Sequence, residues 1–233
     1  MHDPDQRLIV ALDVSSAAAA QRIVATVGES ASFYKVGMQL YTAEGPGIVR
    51  DLVASGRRVF LDLKYHDIPN TVAAAVAEAA RLQVSMLTVH ASGGGKMLRA
   101  ATEAARAVNP SMKVLAVTVL TSLEDNDLER IGVRGRVQDQ VVRLAALALA
   151  DGCDGVVASA REAAQLRSEF GPEFVIVTPG VRLAGTVPGD QVRVVTPAEA
   201  IAAGATYIVV GRPITAAADP AAEACAILAE INF

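Results

Sequence analysis

"LIVALDVSS", residues 8–16, starts as an unbroken apolar run and ends in Asp-Val-Ser-Ser without a glycine. An apolar run that does not alternate is what a strand buried on both faces requires, as in a parallel sheet covered by helices. A doubly wound nucleotide-binding sheet would place a Gly-rich turn straight after such a strand. Here that turn is missing, so the fold decision falls to how often the pattern recurs.

It recurs along the whole chain. "FYKVG" from 33, "RVFLDLK" from 58, "SMLTVHA" from 85 and "KVLAVTVLTS" from 113 read as further strands. "GVVASA" from 155, "FVIVTPGV" from 174 and "YIVVGRPI" from 207 bring the total to eight. Ala-rich helical stretches lie between them. In "NTVAAAVAEAARL", Asn70 or Thr71 can cap a helix whose apolar stripe is Val72, Val76 and Ala79 or Ala80. "VQDQVVRLAALALA" repeats the pattern with Val137, Val141, Leu144 and Leu147. Eight βα units predict a (β/α)8 TIM barrel with a parallel eight-stranded sheet. The length of 233 residues, with no linker or composition break, predicts one catalytic domain over 1–233. The stretch 122–136, "SLEDNDLERIGVRGR", reads as a solvated loop with a short helix.

Composition excludes several functions. A net charge of −4 and a pI near 5.4 argue against nucleic acid or an anionic membrane as the main partner. Aromatic residues at 4%, with no Trp, leave little for base-stacking platforms. No apolar run reaches the ~18 residues of a membrane span, and "MHDPDQRLIVALD" is unlike a signal peptide. Cys153 and Cys225 have no metal-ligand or disulfide spacing and read as small core residues, which fits a reducing cytoplasm. No metal site is expected. Only four of the 21 basic residues are lysines, and two of them, Lys35 and Lys64, stand inside strands. Lysine can give up a proton where arginine cannot.

In a barrel of this type the chemistry lies at the C-terminal strand ends. Those ends hold Asp13, Lys35, Asp62 with Lys64, His90, Thr118 to Thr121, Ser159, Thr178 to Arg182, and Gly211-Arg212. In "LDLKYHDIPNT", 61–71, strand alternation puts Asp62 and Lys64 on one side, while Asp67 lies beyond, before Ile68-Pro69. Taken alone, an Asp-x-Lys pair reads first as a salt-bridged strand end; its place at the barrel mouth is what points to chemistry. His90 reads as a hydrogen-bonded barrel histidine, and the glycines 93–95 as a turn without Walker spacing. "VVGRPIT" at the last strand end, preceded by the Gly/Pro-rich "TPGVRLAGTVPGDQV", suits a phosphorylated ligand.

"VALDV", "FYKVGMQLY", "LDLKYHDIPNTV", "VTVLTS", "TPGVR" and "VVGRPIT" together resemble the bacterial orotidine 5′-phosphate decarboxylases from first strand to last. The resemblance implies a homodimer with shared active sites, using neither metal nor cofactor. Its substrate would be orotidine 5′-phosphate and its products uridine 5′-phosphate (UMP) and carbon dioxide. It implies Lys64 as proton donor to C6, Asp62 beside the departing carboxylate, and Lys35 bonded to Asp62 and the ribose. Asp67 would reach the neighbouring subunit's site, with Thr71 there contributing to ribose binding and Ile68 assigned to the same substrate-binding group. Asp13 would hold ribose hydroxyls and Thr121 the base. Gln191, Gly211 and Arg212 would take the phosphate, with Arg182 near it. Two rivals are a magnesium-dependent keto-sugar-phosphate decarboxylase or aldolase on the same barrel, and a non-catalytic nucleotide-binding barrel. Lys35 weighs against the first, whose members are expected to be acidic there, and the intact Lys-Asp-Lys-Asp set against the second.

Overall fold

The computed structural model describes residues 7–181 and 195–231. Eight parallel strands close into a barrel in sequence order: β1 (Leu8–Ala11), β2 (Phe33–Gly37), β3 (Arg58–Tyr65), β4 (Met86–His90), β5 (Lys113–Val117), β6 (Gly155–Val157), β7 (Val175–Pro179) and β8 (Tyr207–Val210). Closure comes from β1 against β8, with Leu8 opposite Ile208 and Val10 opposite Val210. A closed ring leaves no sheet edge to protect.

The apolar runs serve two cores. Ile9, Phe33, Phe60, Met86, Leu115, Val177 and Tyr207 fill the barrel interior, where Phe33 and Tyr207 meet edge to face at 5.9 Å. The guanidinium of Arg58 lies 4.1 Å from the Phe33 ring centre, at the N-terminal end of the barrel. The alternate residues, such as Leu8, Val10, Tyr34, Val36, Val59 and Leu61, face outward into the second core under the helices. Both faces of each strand are therefore buried, and the unbroken hydrophobic runs follow from that.

The helices fill the outer ring. They are α1 (Ala17–Val27), α2 (Met38–Glu44), α3 (Gly47–Ala54), α4 (Pro69–Arg81), α5 (Gly95–Val108), α6 (Asp125–Arg130), α7 (Val137–Ala150), α8 (Ala160–Phe170), α9 (Pro197–Ala202), α10 (Arg212–Thr215) and α11 (Pro220–Ile231). The expected stripe of α4 is buried at Val72, Val76, Ala79 and Ala80, but its cap differs from expectation. Ile68, not Asn70 or Thr71, is the N-cap, and it is extended with φ −59° and ψ 153°. Pro69 at the first helical position imposes this, because it restricts its predecessor to extended backbone and needs no N–H partner itself. The α7 stripe is buried at Val137, Val141 and Leu144, with Leu147 only half-buried.

The cysteines part company. Cys153 is buried, and burial pushes its thiol pKa up to about 12. Cys225 is exposed on α11, contrary to the core placement expected of it, with Sγ 3.3 Å from Ser30 Oγ. No described helix is long and apolar enough to cross a membrane.

Candidate active site

At the C-terminal end of the barrel the apolar interior gives way to charge. Asp13 follows β1, Lys35 is the last side chain before Gly37 on the inward side of β2, and β3 supplies Asp62 and Lys64. Lys35 Nζ lies 2.8 Å from Asp13 Oδ1 and 3.8 Å from Asp62 Oδ2, while Lys64 Nζ lies 2.8 Å from Asp62 Oδ1. Acid and base alternate along this row, so every ammonium has a carboxylate and formal charge cancels. That matters because the Lys35 and Asp62 side chains are only 11% and 14% exposed, and an unpaired charge there would be costly.

Room for the row comes from a missing side chain. A Cβ at Gly37 would stand 2.9 Å from Lys35 Nζ and 3.2 Å from Asp13 Oδ1. The φ of Gly37, −95°, is open to any residue. Glycine serves here by what it leaves empty.

Strand alternation does not by itself bring Asp62 and Lys64 together. The β3–β4 register steps from Leu61 opposite Leu87 to Tyr65 opposite Val89, four residues on one strand against two on the other. Lys64 takes up the excess at φ +53°, in the left-handed region that side chains other than glycine seldom adopt. Thr88, fully buried on β4, receives the Lys64 backbone N–H at 2.9 Å. Its own hydroxyl donates to Asp62 Oδ1 at 3.0 Å. Both charged side chains consequently reach the same cavity, as expected, but by a bulge.

That cavity, about 530 Å³, opens above the charged row. The residues Val119, Leu120 and Thr121 after β5, Gly180 after β7, and Gly211 and Arg212 after β8 all line it. Asp13, Lys35, Asp62, Lys64, Thr121, Gly211 and Arg212 thus all meet at one site. Its polar floor and apolar flanks can hold a ring with charged groups beneath it, and an anion can lie at the Gly211-Arg212 end. Val181 and Val195 pair as a parallel bridge beside it. Arg182 and Gln191 lie outside the described residues.

Three expected site residues stand apart from this cavity. Asp67, Ile68 and Thr71 are exposed at the start of α4, and Asp67 Oδ1 accepts the Ile68 backbone N–H at 2.6 Å. His90 is also outside the cavity lining; its ring centre is 5.3 Å from that of His66. Burial, then the neighbouring His66 and Lys64, hold the His90 pKa below 6.5, against the pull of Asp62. Ser159 is buried at the start of α8. Among the described residues no group of three or more His, Cys, Asp or Glu side chains could hold a metal ion.

Sequence reading overlooked Thr88 and Gly37. A threonine inside an apolar strand looks like any β-branched residue, and a glycine at a strand end looks like a turn. The only available signal for Thr88 was its inward parity with Met86 on β4, one step below the charged rim.

The sequence profile of the orotidine 5′-phosphate decarboxylase / HUMPS family matches residues 6–227. The orotidine 5′-phosphate decarboxylase of Moorella thermoacetica is 54% identical, the alignment covering 100% of this chain and 94% of that protein. That of Halorhodospira halophila is also 54% identical, covering 97% and 95%. The crystal structure of orotidine 5′-phosphate decarboxylase from Lactobacillus acidophilus superposes with a TM-score of 0.89 at 39% identity, over 98% of this chain and 100% of that one.

Proposed function

The chain belongs to the orotidine 5′-phosphate decarboxylase / HUMPS family, and we propose the following working of its site. The protein is a carboxy-lyase that converts orotidine 5′-phosphate to UMP and carbon dioxide, the closing step of pyrimidine nucleotide synthesis. The observation that carries the site assignment is the alternating row Asp13, Lys35, Asp62, Lys64 on the floor of one cavity.

The phosphate binds at Gly211 and Arg212, the ribose hydroxyls at Asp13 and Lys35, and the base edge at Thr121. This lays C6 of the ring over Asp62 and Lys64. The C6–carboxylate bond breaks heterolytically: carbon dioxide leaves neutral and the electron pair stays on C6. No ring carbonyl conjugates directly with that pair, so its stabilisation is electrostatic. The Lys64 ammonium already stands where the negative charge develops, held by Asp62 at no reorganisation cost. It then passes one proton from Nζ to C6 and regains one from solvent. Asp62 repels the substrate carboxylate, a repulsion that vanishes when the group leaves as neutral gas.

The functional unit is a homodimer of single-domain cytoplasmic subunits. Asp67, Ile68 and Thr71 are exposed and do not line their own chain's cavity, with Ile68 67% exposed and Met38, which follows β2, 56% exposed. A two-fold interface over this rim covers those apolar groups and delivers Asp67 to the partner's Lys64. The reaction draws on no cofactor. The test is direct: metal-stripped protein is added to orotidine 5′-phosphate, and loss of its absorbance is followed together with UMP formed. One UMP per substrate lost, unaltered by excess chelator, is the expected result. Abolition by chelator and rescue by magnesium would move the protein to the sugar-phosphate side of its family.

A further inference from the structure

We infer that Thr88 is a positioning residue for this reaction, holding Lys64 in its left-handed backbone conformation and Asp62 in register with it. This deepens the proposed reading and rests on it. The bulge removes the Lys64 N–H from the regular β3–β4 ladder, and a buried N–H must find an acceptor elsewhere. Thr88 Oγ1 is that acceptor at 2.9 Å. Because an N–H can only donate and a carboxylate only accept, the single hydroxyl proton is directed at Asp62 Oδ1, 3.0 Å away. The same Asp62 oxygen receives Lys64 Nζ at 2.8 Å. One hydroxyl therefore closes a circuit from the backbone of Lys64, through Asp62, back to the ammonium of Lys64.

The requirement is chemically narrow. A valine offers nothing to either partner, and a backbone carbonyl could receive the N–H but not donate to the carboxylate. Only a side chain that accepts and donates from nearly the same point fits, and Thr88 is wholly buried, so water does not replace it readily. Non-glycine residues held at positive φ persist where their surroundings over-determine them. Here the Thr88 hydroxyl joins the resumed ladder at Tyr65 and the Asp62 ion pair in those surroundings.

The test uses the full-length enzyme with Thr88→Val, which keeps the shape, and Thr88→Ser, which keeps the hydroxyl. Thr88→Val should lower kcat by roughly 10- to 100-fold, as expected for a buried donor left unpaired beside a charged acceptor. KM should change by less than about 3-fold, since Thr88 is wholly buried and does not line the cavity, whereas Gly211 and Arg212, the proposed phosphate contacts, do. Thr88→Ser should return kcat to within about 3-fold of the parent despite its smaller volume. Equal losses in the two variants, or a loss in KM alone, would mean that the methyl group or general packing is what matters. If valine prevents folding, Thr88→Ala against Thr88→Ser gives the same comparison without bulk. A crystal structure of the valine or alanine variant supplies a readout independent of turnover: Lys64 should leave positive φ and its ammonium separate from Asp62. Unchanged Lys64 geometry there would overturn the inference, whereas an inactive parent protein would overturn the proposed reaction instead.

Discussion

Asp62 and Lys64, two residues apart, meet at 2.8 Å across a bulge in which Lys64 occupies positive φ. In a regular strand such neighbours stand side by side about two residue rises apart, and their tips need not converge. The bulge turns a parallel pair of side chains into a contact pair. It also fixes the ammonium without relying on the flexible lysine stem alone.

Lys64→Ala should reduce turnover by roughly 10⁴-fold or more, since general-acid and preorganised electrostatic contributions are each worth about 10²-fold or more. Lys64→Arg should fail to restore it, because guanidinium keeps its charge but does not release its proton. Single-turnover assays of both variants decide the point, and near-parental rates for the arginine variant would show that charge alone suffices.

Subunit mixing tests the exposed position of Asp67. Lys64→Ala and Asp67→Ala proteins, each inactive alone, should regain activity when their subunits exchange. In each heterodimer one site would carry both lesions and the other neither, so activity should approach about half that of the parent per heterodimer, or about a quarter for a fully exchanged equimolar mixture, on two-fold symmetry. Absence of recovery under demonstrated exchange would return Asp67 to its own subunit's site.

Arg212→Ala should lower kcat/KM by roughly 30- to 1,000-fold, the equivalent of about 2–4 kcal/mol for losing one side of a charge-assisted contact. Guanidinium ion in the assay should recover part of this. Unaltered kinetics would place the phosphate elsewhere on the rim.

Folding stability should carry the mark of His90. Its folded-state pKa lies below the ordinary 6.5, so the unfolded chain binds the extra proton first as pH falls. Its contribution is thus intact above pH 6.5 and is lost progressively below it, down to the folded-state pKa. Urea unfolding at pH 7.5 and 5.5 should show a smaller acid-induced loss in His90→Gln than in the parent. Equal losses would assign the acid sensitivity to other groups.

The barrel was legible in the sequence because burial on both strand faces leaves a local trace, an apolar run, at all eight strands. Asp13, Lys35 and Gly211-Arg212 were legible as rim positions by the same logic, lying at or near the C-terminal ends of their runs, whereas Thr121 was singled out within 118–121 only by the family resemblance. Thr88 and the bulge were not, because register is a relation between two strands and neither strand records it alone. The α4 cap was misjudged where Pro69 outweighed the capping preference of Asn70 and Thr71. Cys225 was misplaced because an Ala-rich helix gives only a weak contrast between its inner and outer faces.

Gly37 has a consequence for how this protein tolerates change. It contributes no donor, acceptor or charge, yet a methyl group there would press on both Lys35 and Asp13. A saturation library scored by growth without a pyrimidine supply should therefore show position 37 as intolerant as the charged residues around it, while scoring by protein abundance should show it as nearly neutral. Loss-of-function variants can thus arise where no functional group exists to be lost.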